Sequence, residues 1–256
     1  MIKAAFFDVD GTLLSYKTRQ VCPSARAAIA KLQERGILCI VATGRHMIQM
    51  SKLPVADIPF DSFVMLNGQL VLDKQQNVLF GMPIEGKSKE FLVEKFNDHT
   101  YPAVLVERDQ MYLNCVTDHV LEVNRRMSIA LLPLSDYRGG DIYQICAYLR
   151  PEDEHLVDPI RETCVLTGWH YGGKDIIAGG GGKMVGIKRY LDLLGIRREE
   201  IIAFGDAEND LDMIRFAGIG VAMGNGEEAV KAVADYVTAD IDDDGIEKAL
   251  KHFNLI

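Results

Sequence analysis

The sequence predicts an α/β fold with a doubly wound, mainly parallel, Rossmann-like core sheet and an inserted α/β domain. Apolar runs of strand length alternate with segments of helical periodicity along the chain. Several runs are apolar on both faces, which is typical of parallel strands that are covered by helices. The alternation changes character near Met82 and resumes after the glycine run that ends at Gly182. These observations indicate one core that is interrupted by an insertion.

The first core segment begins with a strand at residues 4–7. A helix then begins at Pro23, carries apolar residues at i, i+3, i+4 and i+7, and ends at Gly36. Residues 37–42 form a continuous apolar run and complete a βαβ unit. Shorter strands are predicted at 63–66, 69–72 and 78–80, with an Asn-Gly turn between the first two.

The second core segment begins with a helix that starts at Lys183, directly after the glycines at 179–182, and ends at Gly195. The remaining core elements are predicted as a strand at 201–204, a helix from Leu211 to Gly218, strands at 220–222 and 236–238 with a helix between them, and a last helix that begins in the acidic residues 242–244.

Residues 83–179 are predicted as a separate inserted domain, so that residues 1–82 and 180–256 form the core. The insertion is expected to contain helices at 87–97, 120–130 and 152–164, strands at 103–107, 111–115 and 142–149, and two short strands up to Ile177. It has no acid pair and no glycine cradle. Trp169, His170 and Tyr171 are expected to belong to its packed interior.

Composition and charge limit the possible classes of function. The chain has 256 residues, of which 48% are hydrophobic and 25% charged, as in globular proteins. The net charge of −9 argues against a protein that binds nucleic acid or an anionic membrane. Five cysteines without CxxC spacing fit a reducing compartment. Since no apolar run is long enough to span a bilayer, we expect a soluble cytoplasmic protein.

Two carboxylates follow the first strand and form the most informative feature of the sequence. Asp8 and Asp10 are spaced by two residues, so both point to the same side where the strand ends, and Gly11 permits a sharp turn. Two carboxylates this close cannot both remain ionised and unpaired in a dry cleft. Either a cation lies between them or one of them keeps a proton; both arrangements are useful in catalysis.

Further polar groups are placed where predicted strands end or helices begin. Thr43, Gly44 and Arg45 follow the second strand, Lys183 opens a helix, and Asp206 and Asp210 follow the strand at 201–204. In a doubly wound sheet such loops meet in one crevice. Acids, one lysine and one hydroxyl together suit a hard divalent cation and a phosphoryl group. A P-loop is excluded, because Ile177 and Met184 stand where GxxxxGK[ST] requires other residues.

These segments resemble the four motifs of the haloacid dehalogenase (HAD) superfamily. The segments are DxDGTL at 8–13, TGR at 43–45, Lys183 at the start of its helix, and GDxxND at 205–210. The stretches 221–226 and 234–238 resemble the Cof-type branch, whose phosphatases carry a large α/β cap of type IIB between the second and third motifs. The resemblance covers both core segments and is much weaker over the insertion.

The resemblance implies a role for each matched residue. Asp8 is expected to attack phosphorus as the nucleophile, and Asp10 to act as the general acid and base. Thr43 and the Gly44 N–H are expected to bind phosphoryl oxygens, with Lys183 neutralising charge. The residues implied in binding phosphate or substrate are Thr43, Gly44, Arg45, Lys183 and Asn209; those implied in the Mg²⁺ site are Asp8, the Asp10 carbonyl and Asp206, with Asp210 steadying the metal waters or Lys183.

The sequence therefore predicts Mg²⁺-dependent hydrolysis of small-molecule phosphate monoesters through an aspartyl phosphate. Sugar phosphates, nucleotides and cofactor phosphates such as pyridoxal phosphate all remain open as substrates, and the insertion is expected to choose among them. Two alternatives remain: a phosphotransferase or phosphomutase of the same superfamily, and a non-enzymatic phospho-aspartate switch. Asp10 argues against the switch, because it is placed to hasten hydrolysis. The predicted partner is a small phosphorylated metabolite, with no nucleic acid or membrane.

Overall fold

The computed structural model of the protein describes residues 1–127, 129–169 and 172–256, without the side chain of Trp169. The expectation for Trp169, His170 and Tyr171 lies outside the described residues, and so does Ser128 in the predicted helix at 120–130. Two compact units can be distinguished by their internal contacts: Met1–Phe80 together with Gly182–Ile256, called the core unit here, and Gly81–Gly181, called the inserted unit.

The described residues form strands in both units. In chain order these are β1 Ala4–Phe7, β2 Leu38–Ala42, β3 Ser62–Met65, β4 Leu70–Asp73, β5 Val78–Gly81, β6 Ala103–Val106, β7 Met111–Leu113, β8 Gln144–Ala147, β9 Cys164–Trp169, β10 Gly173–Ala178, β11 Ile201–Gly205, β12 Ile219–Ala222 and β13 Tyr236–Val237.

The α-helices, in chain order, are α1 Pro23–Glu34, α2 Met47–Met50, α3 Gly86–Asn97, α4 Asp118–Met127, α5 Lys183–Leu194, α6 Leu211–Phe216, α7 Glu228–Lys231 and α8 Gly245–His252. Short 3-10 helices lie at Pro54–Asp57, Leu66–Gly68, Arg198–Glu200, Glu208–Asp210 and Ile241–Asp243. The predicted helix at 152–164 is instead a 3-10 helix, Pro151–Ile160, with Pro159 inside it, and Cys164 already begins β9. Proline lacks the N–H that an α-helix needs, which favours the irregular form.

The core unit contains an eight-stranded sheet in the order β13-β12-β11-β1-β2-β3-β4-β5. The strands from β13 to β3 are parallel to their neighbours, and β4 runs antiparallel to β3. The chain leaves β1 toward β2 and β3, and later returns to β11 on the other side of β1. This reversal of strand order beside β1 is where open α/β sheets bind ligands. The predicted fold class is confirmed.

Strand β1 lies at the centre of this sheet and is buried on both faces. Phe6 contacts the ring of Tyr190 from α5 edge to face, with ring centroids 6.3 Å apart. On the other face Phe7 stacks on Phe204 of β11 at 5.1 Å. Helix α5 packs on the sheet through Ile187, Tyr190 and Leu191. Burial of large apolar side chains on both faces holds the end of β1, and with it Asp8, in a fixed place.

The inserted unit has its own antiparallel sheet in the order β7-β6-β8-β10-β9. A separate hydrophobic cluster joins its strands to α3 and to the 3-10 helix, and its members include Leu92, Phe96, Leu105, Ile145, Val157 and Ile176. Across the described parts of both units, we find no helix with the length and apolar character that crossing a membrane requires.

Candidate active site

The loops after β1 and β11 come into direct contact at the carboxyl edge of the core sheet. The Asp8 N–H donates to the Phe204 carbonyl at 3.0 Å, and the Thr12 hydroxyl donates to Oδ1 of Asp206 at 3.0 Å. Gly11 has φ +86°, and a Cβ on it would lie 2.1 Å from Oδ2 of Asp206. Only glycine therefore allows the two loops to approach this closely.

Three carboxylates from these loops form one buried group. Asp8, Asp206 and Asp210 each offer an oxygen within 4.8 Å of the others. Their exposed fractions are 5%, 6% and 0%. The predicted convergence of the strand-end acids is thus present in the structure. The Asp10 side chain does not belong to this group.

Lys183 is the cation of this group. Its Nζ donates to Oδ1 of Asp8 at 2.5 Å and to Oδ1 of Asp210 at 2.6 Å, and the residue is 1% exposed. The lysine stands at the first position of α5, whose start is fixed by glycine contacts. A Cβ on Gly68 would lie 2.1 Å from the Gly182 carbonyl oxygen, and a Cβ on Gly186 would lie 2.8 Å from Gly68.

Asp210 has a supporting position within the group. Its Oδ1 accepts from Lys183, and its Oδ2 accepts from the N–H groups of Asp206 at 2.9 Å and Ala207 at 3.1 Å. Both carboxylate oxygens are therefore engaged by protein donors. Asp210 thus contacts both Lys183 and the backbone at Asp206; the resemblance implied that it steadies the metal waters or Lys183, and this role stays a prediction.

Asp10 is paired with Arg45. Nε of Arg45 donates to Oδ2 at 2.5 Å and Nη2 donates to Oδ1 at 2.7 Å. The Asp10 carbonyl, which the resemblance implied as a metal ligand, accepts a bond of 3.3 Å from the Tyr16 hydroxyl. The role of Arg45 in binding substrate stays a prediction; in this structure its guanidinium is bonded to Asp10.

The loop after β2 is braced by the turn after β3. Thr43 is buried, and its Oγ1 accepts from the Arg45 N–H at 3.2 Å. Asn67 has left-handed backbone angles, its N–H donates to the Thr43 carbonyl at 3.0 Å, and its side chain lies beside Gly44. Asn209, predicted as a phosphate or substrate ligand, donates from Nδ2 to Oδ1 of Asn67 at 3.1 Å. Three loops are thereby joined.

Three residues of the site were missed by the sequence reasoning. Asn67 was interpreted only as a turn residue, and Thr12 only as part of a motif. Asn225 donates from Nδ2 to the Gly11 carbonyl at 2.7 Å and accepts from the Ile241 N–H at 2.9 Å. Asn225 lies in the stretch 221–226 that carries the Cof-type resemblance, and this resemblance could have identified it as a site residue from the sequence.

His46 lies next to Arg45 and has a structural role. Its Nδ1 accepts from the Ile48 N–H at 3.1 Å, while its own N–H donates to Oε1 of Gln49 at 2.9 Å. These two bonds cap the amino end of α2, as in a capping box.

Burial dominates the electrostatics of the three carboxylates. Burial, with the charge of Asp210 added, raises the pKa of Asp8 well above its ordinary value despite the opposing effect of Lys183. Burial also raises the pKa of Asp206 to about 7, again with Asp210 adding to the effect. For Lys183, burial would lower the pKa, but the charges of Asp210 and Asp8 raise it above the ordinary value. The lysine therefore stays charged.

The donor set suits a hard divalent cation. Asp8 and Asp206 each retain a second carboxylate oxygen beyond the bonds to Lys183 and Thr12, and the Asp10 carbonyl belongs to the same loop. Mg²⁺ prefers oxygen ligands and needs only one or two carboxylates, because it keeps several waters. The residues present thus fit the predicted ion.

Comparison with known proteins identifies the family to which this chain belongs. A family model described as haloacid dehalogenase-like hydrolase matches residues 5–250. The chain belongs to this HAD-like hydrolase family. YkrA of Bacillus subtilis (strain 168) is 32% identical over 99% of this chain and 98% of its own length. The 5-amino-6-(5-phospho-D-ribitylamino)uracil phosphatase YitU of the same organism is 30% identical over 96% of this chain and 95% of its own length.

A solved structure from the HAD family is similar to this chain over both units. BT4131, a sugar phosphatase of HAD subclass IIB, is 32% identical, with a TM-score of 0.87 over 99% of this chain and 100% of its own. The Cof-type resemblance found in the sequence, with its α/β cap, is therefore confirmed. The predicted enzyme class, a phosphatase of the HAD superfamily, is confirmed as well.

Proposed function

We propose that this HAD-family enzyme hydrolyses small phosphate monoesters through a phosphoryl group carried on Asp8. The observation that supports this most directly is the position of Asp8. Its side chain is buried in a group with Asp206 and Asp210, and its Oδ1 lies 2.5 Å from Nζ of Lys183. An anionic nucleophile must approach an anionic substrate, so its surroundings must supply positive charge. Lys183 supplies it from within the site.

The proposed reaction has two steps. In the first, an oxygen of Asp8 bonds to phosphorus, the bond from phosphorus to the ester oxygen breaks, and Asp10 gives its proton to that leaving oxygen. In the second, water attacks the phosphorus of the acyl phosphate, Asp10 takes the proton of the water, and Asp8 is released with inorganic phosphate. Lys183 remains protonated throughout and balances charge on the phosphoryl oxygens.

The other groups hold the phosphoryl group and the acids in place. Thr43 and the Gly44 N–H bind phosphoryl oxygens, and Asn209 reaches the same region through its contact with Asn67. Asp8, Asp206 and the Asp10 carbonyl would hold Mg²⁺, while Asp210 orients Asp206 and Lys183. When bound, Mg²⁺ would supply further neutralisation of the negative charge on the phosphoryl group.

The substrate is proposed to be a small phosphorylated metabolite. YitU acts on 5-amino-6-(5-phospho-D-ribitylamino)uracil and BT4131 on sugar phosphates, as their names state. For this chain we propose the same broad class, handled in the cytoplasm. The core unit is proposed as the catalytic domain, with boundaries near residues 1–82 and 180–256, and the inserted unit as a cap that selects the leaving group.

The direct test replaces Asp8 by asparagine and measures phosphate release with Mg²⁺. Asp8→Asn keeps the size of the side chain but replaces the anionic carboxylate by a neutral amide, which is a poor nucleophile, so we expect turnover to fall by about a thousandfold or more. Asp192→Asn, on the exposed part of α5, is the matched control and should leave the rate unchanged. Turnover in Asp8→Asn equal to that of the control would reject the proposed function.

A further inference from the structure

Arg45 and Asp10 form a two-bond ion pair whose geometry fixes both side chains. The bonds, 2.5 Å from Nε to Oδ2 and 2.7 Å from Nη2 to Oδ1, join two planar groups edge to edge. The two side chains are each 24% exposed. A single bond would leave the carboxylate free to rotate, whereas two parallel bonds hold its plane in one orientation.

The two aspartates of the first loop are neutralised by different cations. Lys183, at the start of α5, pairs with Asp8, and Arg45, from the loop after β2, pairs with Asp10. The sequence alone left open whether a cation lies between these acids or one of them keeps a proton. In the structure a different cationic side chain faces each of these two acids, although Lys183 is shared with Asp210. The Asp10 carboxylate lies outside the group of Asp8, Asp206 and Asp210, although it is only two residues from Asp8.

We propose that Arg45 is a positioning residue that orients the Asp10 carboxylate toward the leaving oxygen, rather than a ligand of the phosphoryl group. This inference rests on the proposed function, because it concerns the acid and base of that reaction. Arg45 is tied at its backbone as well, since its N–H donates to Oγ1 of Thr43 at 3.2 Å. It therefore connects the acid to the loop that is proposed to bind the phosphoryl oxygens.

Asp10 needs this restraint because its side chain is partly exposed and could otherwise rotate. Without Arg45, the carboxylate could turn to solvent, or toward the Asp8, Asp206 and Asp210 group, where it would join the ligands of a cation. Either rotation takes it away from the leaving oxygen, and a general acid works only within hydrogen-bond reach. The pair with Arg45 leaves each carboxylate oxygen of Asp10 a second lone pair, on which the group carries the proton that it gives to the leaving oxygen.

Two esters with the same phosphoryl group separate the two possible roles of Arg45. An alkyl ester such as glycerol phosphate needs its leaving oxygen protonated, whereas the phenolate of p-nitrophenyl phosphate leaves with little help. In Arg45→Met we expect kcat/KM for the alkyl ester to fall about 100-fold, as for a misplaced general acid. For the nitrophenyl ester we expect a change below about threefold. Equal losses for both esters would indicate a phosphate ligand and overturn the inference.

A double-mutant cycle tests the link between the two residues. Asp10→Asn should show the same selective loss on the alkyl ester, and adding Arg45→Met to it should lower kcat/KM by less than about threefold more. Losses that multiply would mean that Arg45 acts independently of Asp10, against the inference. Because the pair is partly exposed, both variants should retain the far-UV circular dichroism of the wild type.

The outcome also distinguishes this inference from the proposed function. If the wild-type enzyme with Mg²⁺ hydrolyses neither ester, the proposed function fails and the role of Arg45 fails with it. If the wild type hydrolyses both and Arg45→Met loses both equally, only the role of Arg45 is wrong. Selective loss on the alkyl ester supports both.

Discussion

Asp206 is the single residue that best shows how this site accommodates several buried carboxylates. It is buried beside Asp8 and Asp210, and the single lysine of the group cannot neutralise three carboxylates. Its pKa is raised from the ordinary 3.8 to about 7 by burial and by the charge of Asp210. Carboxyl groups with strongly shifted pKa values are found mainly at functional sites.

The raised pKa of Asp206 predicts how pH would affect the stabilisation of the protein by Mg²⁺. Since the folded-state pKa lies above the unfolded one, the metal-free protein loses stability as pH rises from about 4 to about 7. The elevated pKa of Asp8 acts in the same direction. Below the folded-state pKa of about 7, protons compete with Mg²⁺ for Asp206, so Mg²⁺ should raise the unfolding temperature more at about pH 8 than at about pH 5.5.

Differential scanning calorimetry with and without Mg²⁺ at both pH values checks this expectation. Asp206→Asn removes one carboxylate from the buried group and should abolish most of the Mg²⁺ effect, whereas Asp192→Asn on the surface of α5 should retain it. A Mg²⁺ effect that is equal at both pH values, or that persists in Asp206→Asn, would place the metal elsewhere.

At the scale of an element, α5 is placed by contacts between glycines. Gly186 faces Gly68 in the turn after β3, and Gly182, directly before the first residue of the helix, lies against the same turn. Close backbone approach of this kind requires that no Cβ stand between the segments. The first residue of the helix is Lys183, so this contact sets the position of the cation relative to Asp8.

Gly186→Ala is therefore expected to affect both stability and rate. A Cβ at this position would lie 2.8 Å from the backbone of Gly68, and the helix would have to move. We expect the free energy of unfolding to fall by about 1–3 kcal/mol, as for other overpacked sites, and kcat to fall more than KM changes. Urea denaturation and steady-state kinetics measure these two quantities.

Lys188→Ala on the exposed side of α5 is the control for this variant, and it should change stability by less than about 0.5 kcal/mol. If Gly186→Ala is destabilised but keeps a normal kcat, the glycine contact serves packing only and does not position Lys183.

The elements differ in how well the sequence predicts them. Long apolar runs such as 37–42 predict strands reliably, because burial on both faces leaves few other conformations. Short segments carry less information: α2 has four residues, and its start depends on the His46 cap rather than on apolar periodicity. The Pro151–Ile160 segment has helical periodicity, but Pro159 removes the backbone donor that an α-helix needs.

Side-chain pairings between distant loops could not be predicted from spacing. The sequence indicates that acids, a hydroxyl and a lysine meet at one edge, since parallel strands end there together. It does not indicate that Arg45 pairs with Asp10, or that Asn67 joins Gly44 to Asn209, because such pairings depend on loop conformations. The left-handed backbone of Asn67 is one such conformation.

At the scale of the whole molecule, strand order brings the two chain segments of the core together. Thr12 and Asp206 are 194 positions apart in the sequence and are hydrogen-bonded in the fold. The insertion between them folds around a hydrophobic cluster of its own. The packing of the core around its site is therefore separate from the packing of the insertion, which fits the proposal that the insertion selects the leaving group.

The central claim is that Asp8 carries the phosphoryl group during turnover. Rapid acid quench of the enzyme with saturating substrate and Mg²⁺, followed by peptide mass spectrometry, tests it most directly. We predict a phosphorylated peptide that contains Asp8, present during turnover and lost once the substrate is consumed. Turnover with no phosphorylated peptide, or with the phosphoryl group on another residue, would contradict the account.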